Sequence, residues 1–195
     1  VLVSACATNT PPERFHTLLP AEHEAAAAVT PLIAIDMARV SVPAQVDHPQ
    51  WAVRQPDGSL RLLEQERWAA PLADELRAAL VDRLAVRWGV MDVRGLGPAR
   101  AAWRVRVEVE RFESMPQREA RLEAAWSVSP ATGDGPAMVC HTALTEAVHE
   151  GGAPALAQAH QRAAQRLADE IGERVRQEMQ LGDGQARCVQ EIATP

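Results

Sequence analysis

The sequence predicts an α/β fold: a two-layer sandwich whose mostly antiparallel sheet carries two long helices packed on one face. Three observations predict it. Leu72, Leu76, Leu80 and Leu84 recur at four-residue spacing, and Leu156, His160, Ala163, Leu167, Ile171 and Val175 at three- and four-residue steps. Each series is one apolar stripe along a helix. In residues 103–110, Trp103, Val105, Val107 and Val109 alternate with Arg104, Arg106, Glu108 and Glu110, the pattern of a strand with one face buried. The chain order is strands, helix, strands, helix, and a helix with a single apolar stripe covers one face of a sheet. The other sheet face carries charge and is wet or covered by a partner.

Taken in order, Phe15 to Leu19 reads as a short strand and Pro20 to Thr30 as a loop, although Ala25 to Ala28 also suit a turn of helix. Leu32 to Val42 reads as a long strand. Ile33, Ile35 and Met37 share one face, Val40 and Val42 the other, so a bulge or twist is expected near Ala38. Trp51 to Leu62 is a hairpin turning at Asp57-Gly58. Pro71 is expected at the first helical position, where its fixed φ fits and its missing N–H is not needed. Trp68 pins the corner between hairpin and helix by burying its ring. Gly89 fits the residue after the helix, in the left-handed conformation. Val90 to Val93 is a short strand, and Gly95, Gly97 and Pro98 mark a loop. The strand beginning at Trp103 is followed by a partner, Ala120 to Val128, and by a third strand, Met138 to Val148. Gly151-Gly152 ends that one, and Pro154 opens the second helix, which runs to Gly182.

The long hairpin has a predictable register. Its inward residues are odd-numbered on one strand and even-numbered on the other, so paired numbers sum to an odd value. One register sets Glu108 against Glu123, a repulsive pair. The other sets Glu108 opposite Arg121 and Arg106 opposite Glu123, which attract, and is preferred. It needs an extra residue, and the phase break at Arg111-Phe112 is where a bulge supplies one.

The length of 195 residues fits one domain with a real core. Residues 1–6 read as the remnant of a lipoprotein signal with its lipobox, 7–14 as a tether, 15–180 as the domain and 181–195 as a tail. Net charge of −6 argues against nucleic-acid binding. All 20 basic residues are arginine, which excludes a phosphate-loop lysine and Schiff-base chemistry. No stretch approaches the ~20 apolar residues of a membrane span.

One corner, Arg67-Trp68-Ala69-Ala70-Pro71-Leu72 after a leucine-rich strand, resembles the auxiliary lipoproteins of bacterial ABC-type transport systems, also called the paraquat-inducible C-type lipoproteins. Three further stretches agree in order and spacing: Phe15-His16-Thr17-Leu18, the Val40-Ser41-Val42-Pro43 strand end, and Arg111-Phe112 followed by the Trp126 strand. The resemblance runs from about Cys6 to Met179. His16 stands where the family usually has tyrosine.

Leu2-Val3-Ser4-Ala5-Cys6 resembles a lipobox, which makes Cys6 the candidate lipidation site, ahead of a polar, proline-bearing tether. The six histidines are scattered with no zinc-ligand spacing, and no GxSxG, HExxH, CxxC or phosphate-binding loop is present. No metal, cofactor or catalytic residue is therefore assigned. His160 reads as a satisfied residue at the edge of an apolar stripe. For a partner interface the candidates are Trp51, as an exposed aromatic, and Arg104 and Arg106 on the charged strand face. An ordinary wet face with cross-strand ion pairs is the competing reading for those arginines. Cys140, inside a strand, and Cys188, in the tail, are a candidate disulfide. The bond would close a loop of about 47 residues and stabilise by ~4 kcal/mol. A buried Cys140 with a free Cys188 thiol is the alternative.

The resemblance implies a non-catalytic, lipid-anchored periplasmic subunit of an ABC-type lipid or intermembrane transport system, working with that system's membrane-spanning subunits. A homo-oligomer is left open. Ala7, rather than aspartate, follows Cys6, which by the usual sorting rule points to the outer membrane. The alternatives are a periplasmic lipid carrier, which needs an apolar cavity of roughly several hundred Å³, and a purely structural envelope lipoprotein. Alanines 163, 164 and 168 on the second helix argue for close helix–sheet approach and against such a cavity.

Overall fold

The computed structural model describes residues 11–21, 33–96, 102–132, 135 and 137–181. Eight strands and two helices follow one another as β1 (Arg14–His16), β2 (Ile33–Met37), β3 (Gln50–Arg54), β4 (Leu60–Trp68), α1 (Leu72–Trp88), β5 (Val90–Asp92), β6 (Trp103–Met115), β7 (Glu119–Pro130), β8 (Met138–Ala147) and α2 (Ala153–Leu181). The α/β class and both long helices are as the sequence predicts. The strands, however, divide between two sheets. One has the order β1-β4-β3, the other β5-β2-β6-β7-β8. Parallel pairing enters each: β1 with β4, and β2 with both β5 and β6. Helix α2 lies across β7 and β8, and α1 packs beside it and against β5.

The apolar stripes do the packing. Leu76, Leu80 and Leu84 of α1 and Leu156, Leu167 and Ile171 of α2 are each no more than 1% exposed. Burying one such side chain stabilises by about 2 kcal/mol. Ala159, Ala163, Ala164 and Ala168 are equally buried, so α2 approaches its neighbours closely. Gly172 serves the same end. A Cβ there would sit 2.6 Å from the Trp88 ring.

Local signals place the element ends. Gly58 turns the β3–β4 hairpin with φ 87°. Gly89 ends α1 with φ 63°, and its N–H returns to the Ala85 carbonyl. Pro71 is the N-cap, not the first helical residue: its ψ of 136° is non-helical, while its carbonyl accepts from the N–H groups of Asp74 and Glu75. The phase change near Ala38 is real. Strand β2 stops at Met37, and the chain rejoins β6 at Ser41, whose N–H donates to the Val107 carbonyl.

The β6–β7 register keeps the expected odd sum from Trp103↔Pro130 to Val109↔Ala124, then slips by one residue at Glu110. The bulge lies beside the predicted break, but the chosen pairs do not form. Glu108 faces Ala125 and Arg106 faces Ser127. Opposite charges meet nearer the turn instead, Arg111 with Glu123 and Glu113 with Arg121. The reason is a tight turn at 116–118, with Gln117 at φ 58°, which lets both strands run further than the sequence pattern indicates.

Candidate functional site

Three of the stretches that carry the family resemblance meet where the small sheet joins the large one. Trp51 and Trp68 lie with ring centroids 4.2 Å apart, and Phe112 meets Trp68 edge-on at 5.9 Å. His160, from α2, stacks on Phe112 at 3.9 Å with the planes 13° apart. His16 packs edge-on against Trp51. Sequence order separates these residues, and β-pairing assembles them: β1 lies beside β4 so that His16 faces Trp68. The bulge at Glu110 rotates the end of β6, which turns Phe112 and Ser114 inward.

One hydrogen-bonded chain runs through this cluster. The Trp51 Nε1–H donates to Ser114 Oγ at 2.8 Å, and Ser114 Oγ lies 2.8 Å from His160 Nε2. The hydroxyl oxygen accepts from Trp51 and shares one proton with Nε2, while the other ring nitrogen, Nδ1, is a buried atom with no hydrogen-bond partner among the described residues. Burial in an apolar surround pushes the His160 pKa down to about 3, so the ring is neutral at physiological pH.

A serine 2.8 Å from a histidine has the spacing of a nucleophile and its base. The chemistry does not follow. Ser114 and His160 are each 1% exposed, no carboxylate among the described residues orients Nδ1, and a base with so low a pKa takes a proton poorly at neutral pH. The arrangement is a polar pin joining β3, β6 and α2 inside an aromatic core. The sequence alone signals its parts, as inward positions on separate strands and a helix, but not their meeting.

Ionic contacts seat the N-terminal strand. The buried Glu66 carboxylate binds Arg14 and lies 2.7 Å from His16 Nε2. The buried Glu75 carboxylate accepts from Thr17 Oγ1 at 2.7 Å and from the Leu18 N–H at 2.8 Å, so α1 clasps the chain just after β1. Gln161 of α2 donates to the Thr17 and Leu19 carbonyls.

The predicted site residues divide. Trp51 is 2% exposed, so it is a core residue and not an exposed aromatic at an interface. Its strand pairs with β4 and packs against β6, and all three middle residues of β3 are buried. Arg104 is half-buried and paired with Asp36 at 3.2 Å, whereas Arg106 is exposed. Cys140 is 5% exposed and disulfide-bonded. Cys6, Ala7, Ala25 to Ala28 and Cys188 lie outside the described residues. Unforeseen is an open groove of about 520 Å³ beside the β6–β7 turn, lined by Arg54, Arg111, Arg118 and Arg121 together with Glu113 and Glu119. Arg54 binds the buried Glu113 at 2.5 Å, and Arg121 binds Glu119 at 2.8 Å, so most of its charge is internally matched. The dense run of charges from Glu110 to Glu123 is its signal in the sequence.

Among the described residues no group of three or more histidine, cysteine or acidic side chains could hold a metal ion. None of the described helices is long and apolar enough to cross a membrane. The family described as ABC-type transport auxiliary lipoprotein component matches residues 16–172. The fold is similar to the crystal structure of an uncharacterized protein, with TM-score 0.70 and 16% identity, covering 85% of this chain and 99% of the other. It is also similar to a protein from Xanthomonas campestris, with TM-score 0.63 and 20% identity, over 78% of this chain and 92% of that one. No curated protein matches the chain.

Proposed function

Because the chain belongs to the family of ABC-type transport auxiliary lipoprotein components, we propose that it is a non-catalytic, lipid-anchored subunit of an ABC-type lipid or intermembrane transport system. The anchor is Cys6, and the domain faces the periplasm from the outer membrane. It works alongside the membrane-spanning subunits of the same system, and nucleotide hydrolysis belongs to another chain. The observation that carries this reading is the family match, which spans the domain from His16 to Gly172. The sealed core supports the absence of catalysis, since the Ser114–His160 contact is buried and the histidine is neutral.

The carrier reading is less well supported. Buried alanines fill the α2 interface, and the cavity between the helices and the segment after β1 is about 220 Å³. That falls below the several hundred Å³ that a lipid chain requires, and Asp82, Arg83 and Gln165 line it alongside Leu18, Ala79 and Val86. The docking surface is the charged outer face of β6, with Arg106 exposed at its middle and Arg104 at its start.

Replacing the acylated residue tests the anchor. Cys6→Ala is expected to leave a folded periplasmic domain that is released from the membrane and fails to complement loss of transport. A variant that still fractionates with the outer membrane would overturn the lipid anchor. Sedimentation of the wild-type chain with inner-membrane vesicles would overturn the sorting argument from Ala7.

A further inference from the structure

Strand β8 is the last strand of the large sheet, and among the described residues nothing pairs with its far edge. It runs for 10 residues, Met138 to Ala147. Its exposed side chains are Val139, His141, Ala143, Thr145 and Ala147, with neither arginine, acid nor proline among them. An edge this long and this weakly charged is a template for another strand, and native proteins ordinarily cover or blunt it. A second observation concerns the same strand. Cys140 is disulfide-bonded, with its side chain turned inward and 5% exposed.

We propose that Cys140 is bonded to Cys188 and that the segment continuing from Cys188 lies along the free edge of β8 as an added strand. The chain has 3 cysteines, and the sulfur of Cys6 is occupied by lipid in the reading given above. Helix direction brings the tail to the correct place. Arg162 and Arg166 of α2 reach Glu146 near the end of β8, while Glu170 reaches Thr142. Thus α2 runs antiparallel to β8, and its end at Leu181 lies towards the level of Met138. The seven residues from Leu181 to Cys188 span at most ~24 Å, enough to double back, and Gly182 and Gly184 favour the reversal.

Disulfide geometry then fixes the spacing. It holds two Cα atoms about 5.5 Å apart, close to the ~4.8 Å between neighbouring strands. Cys188 therefore sits at the distance of a paired strand. If Cys188 faces inward, strand alternation turns Gln190 and Ile192 inward with it. Ile192 extends the core beyond Leu144, and Glu191 places a charge on the outer face that β8 itself lacks. The tail supplies both the backbone partners and the charge that the edge needs.

Peptide mapping tests the bond. The full chain is extracted from membranes in detergent without reductant, blocked with N-ethylmaleimide and digested with trypsin. The Leu122–Arg162 fragment is expected in covalent linkage with the fragment beginning at Cys188, neither cysteine labelled. A maleimide on Cys140 would overturn the proposal, as would linkage to the fragment bearing Cys6. Acyl mass on the Cys6 fragment, read from the same digest, separates failure of the disulfide from failure of the lipid anchor. Hydrogen exchange then tests the edge. Outward amides of β8 are expected to exchange at least ~10-fold faster in Cys188→Ser than in the wild type. Equal rates would remove the tail from the edge, and protection that grows with protein concentration would give the edge to a second copy of the chain.

Discussion

Acid should destabilise this domain through one residue. His160 is fully buried and its pKa is lowered from 6.5 to about 3. The unfolded chain therefore binds a proton at this ring well before the folded chain does. The neutral ring's contribution is fully present above the unfolded value of 6.5 and is lost as pH falls towards 3. Between pH 7 and pH 5 the unfolded state gains about 2 kcal/mol from this group, and across the whole window ~5 kcal/mol. With a urea m-value of about 2 kcal/mol/M, the shift from pH 7 to pH 5 moves the unfolding midpoint by ~1 M. The assay is urea unfolding of the wild type and of His160→Gln at both pH values. Carboxylates and the other histidines titrate alike in the two proteins, so their contributions cancel in the difference. The variant is expected to be less stable at pH 7, because its smaller side chain loses the stack on Phe112, yet to lose ~2 kcal/mol less on acidification. Equal losses in the two proteins would refute the reasoning, since they would mean that His160 takes up its proton without unfolding.

Further substitutions probe other parts of the account. Ser114→Ala leaves the Trp51 Nε1–H and His160 Nε2 buried without partners, and should cost about 2–4 kcal/mol in chemical denaturation. Gly172→Ala forces a methyl group against the Trp88 ring, and a loss of about 1–3 kcal/mol with a lowered melting temperature is expected. Arg54→Met removes the shortest ion pair of the Glu113 carboxylate, which is 8% exposed, and leaves it the longer contact to Arg111 at 3.9 Å; it should destabilise by ~1 kcal/mol, with Arg54→Met/Glu113→Leu recovering most of the loss. Arg106→Glu leaves an exposed strand position folded, so its melting temperature should stay within a degree or two while capture of partner subunits falls.

Much of the fold is legible because its signals are local. The α1 stripe, the Gly58 turn, the Gly89 terminus and the alternation in β6 and β7 each sit within a few residues of what they determine. Pairing between distant segments is less legible. Nothing near Phe15 says that it lies beside Arg67, and nothing near Leu63 says that the β3–β4 ladder jumps from there to Arg67. The β6–β7 hairpin lies between these cases. Side-chain parity fixes which face each residue takes, but it leaves every register with an odd sum open. The tight turn at Gln117 chose among them, and it is encoded in backbone conformation that the flanking pattern does not report.

Trp51 shows the same division at the site. Its place at the start of a hairpin suggests exposure, yet the strand is buried on both faces because β6 packs against it. The Ser114–His160 contact joins residues 46 apart in sequence and depends on the bulge that turns Ser114 inward. What remained readable was the helix phase that points His160 towards the core. The family match adds a link to ABC-type transport, and the buried cluster of Trp51, Trp68, Phe112, Ser114 and His160 joins the two sheets.

Affinity capture tests the transport role most directly. A functional tagged form of the full chain is expressed at its natural level, cross-linked in intact cells and purified from detergent-solubilised envelopes. The account predicts that the membrane-spanning subunits of one ABC-type transport system co-elute in fixed proportion, and that Arg106→Glu reduces the yield without reducing the amount of tagged chain. Elution of the chain alone, or only with structural envelope proteins, would contradict it.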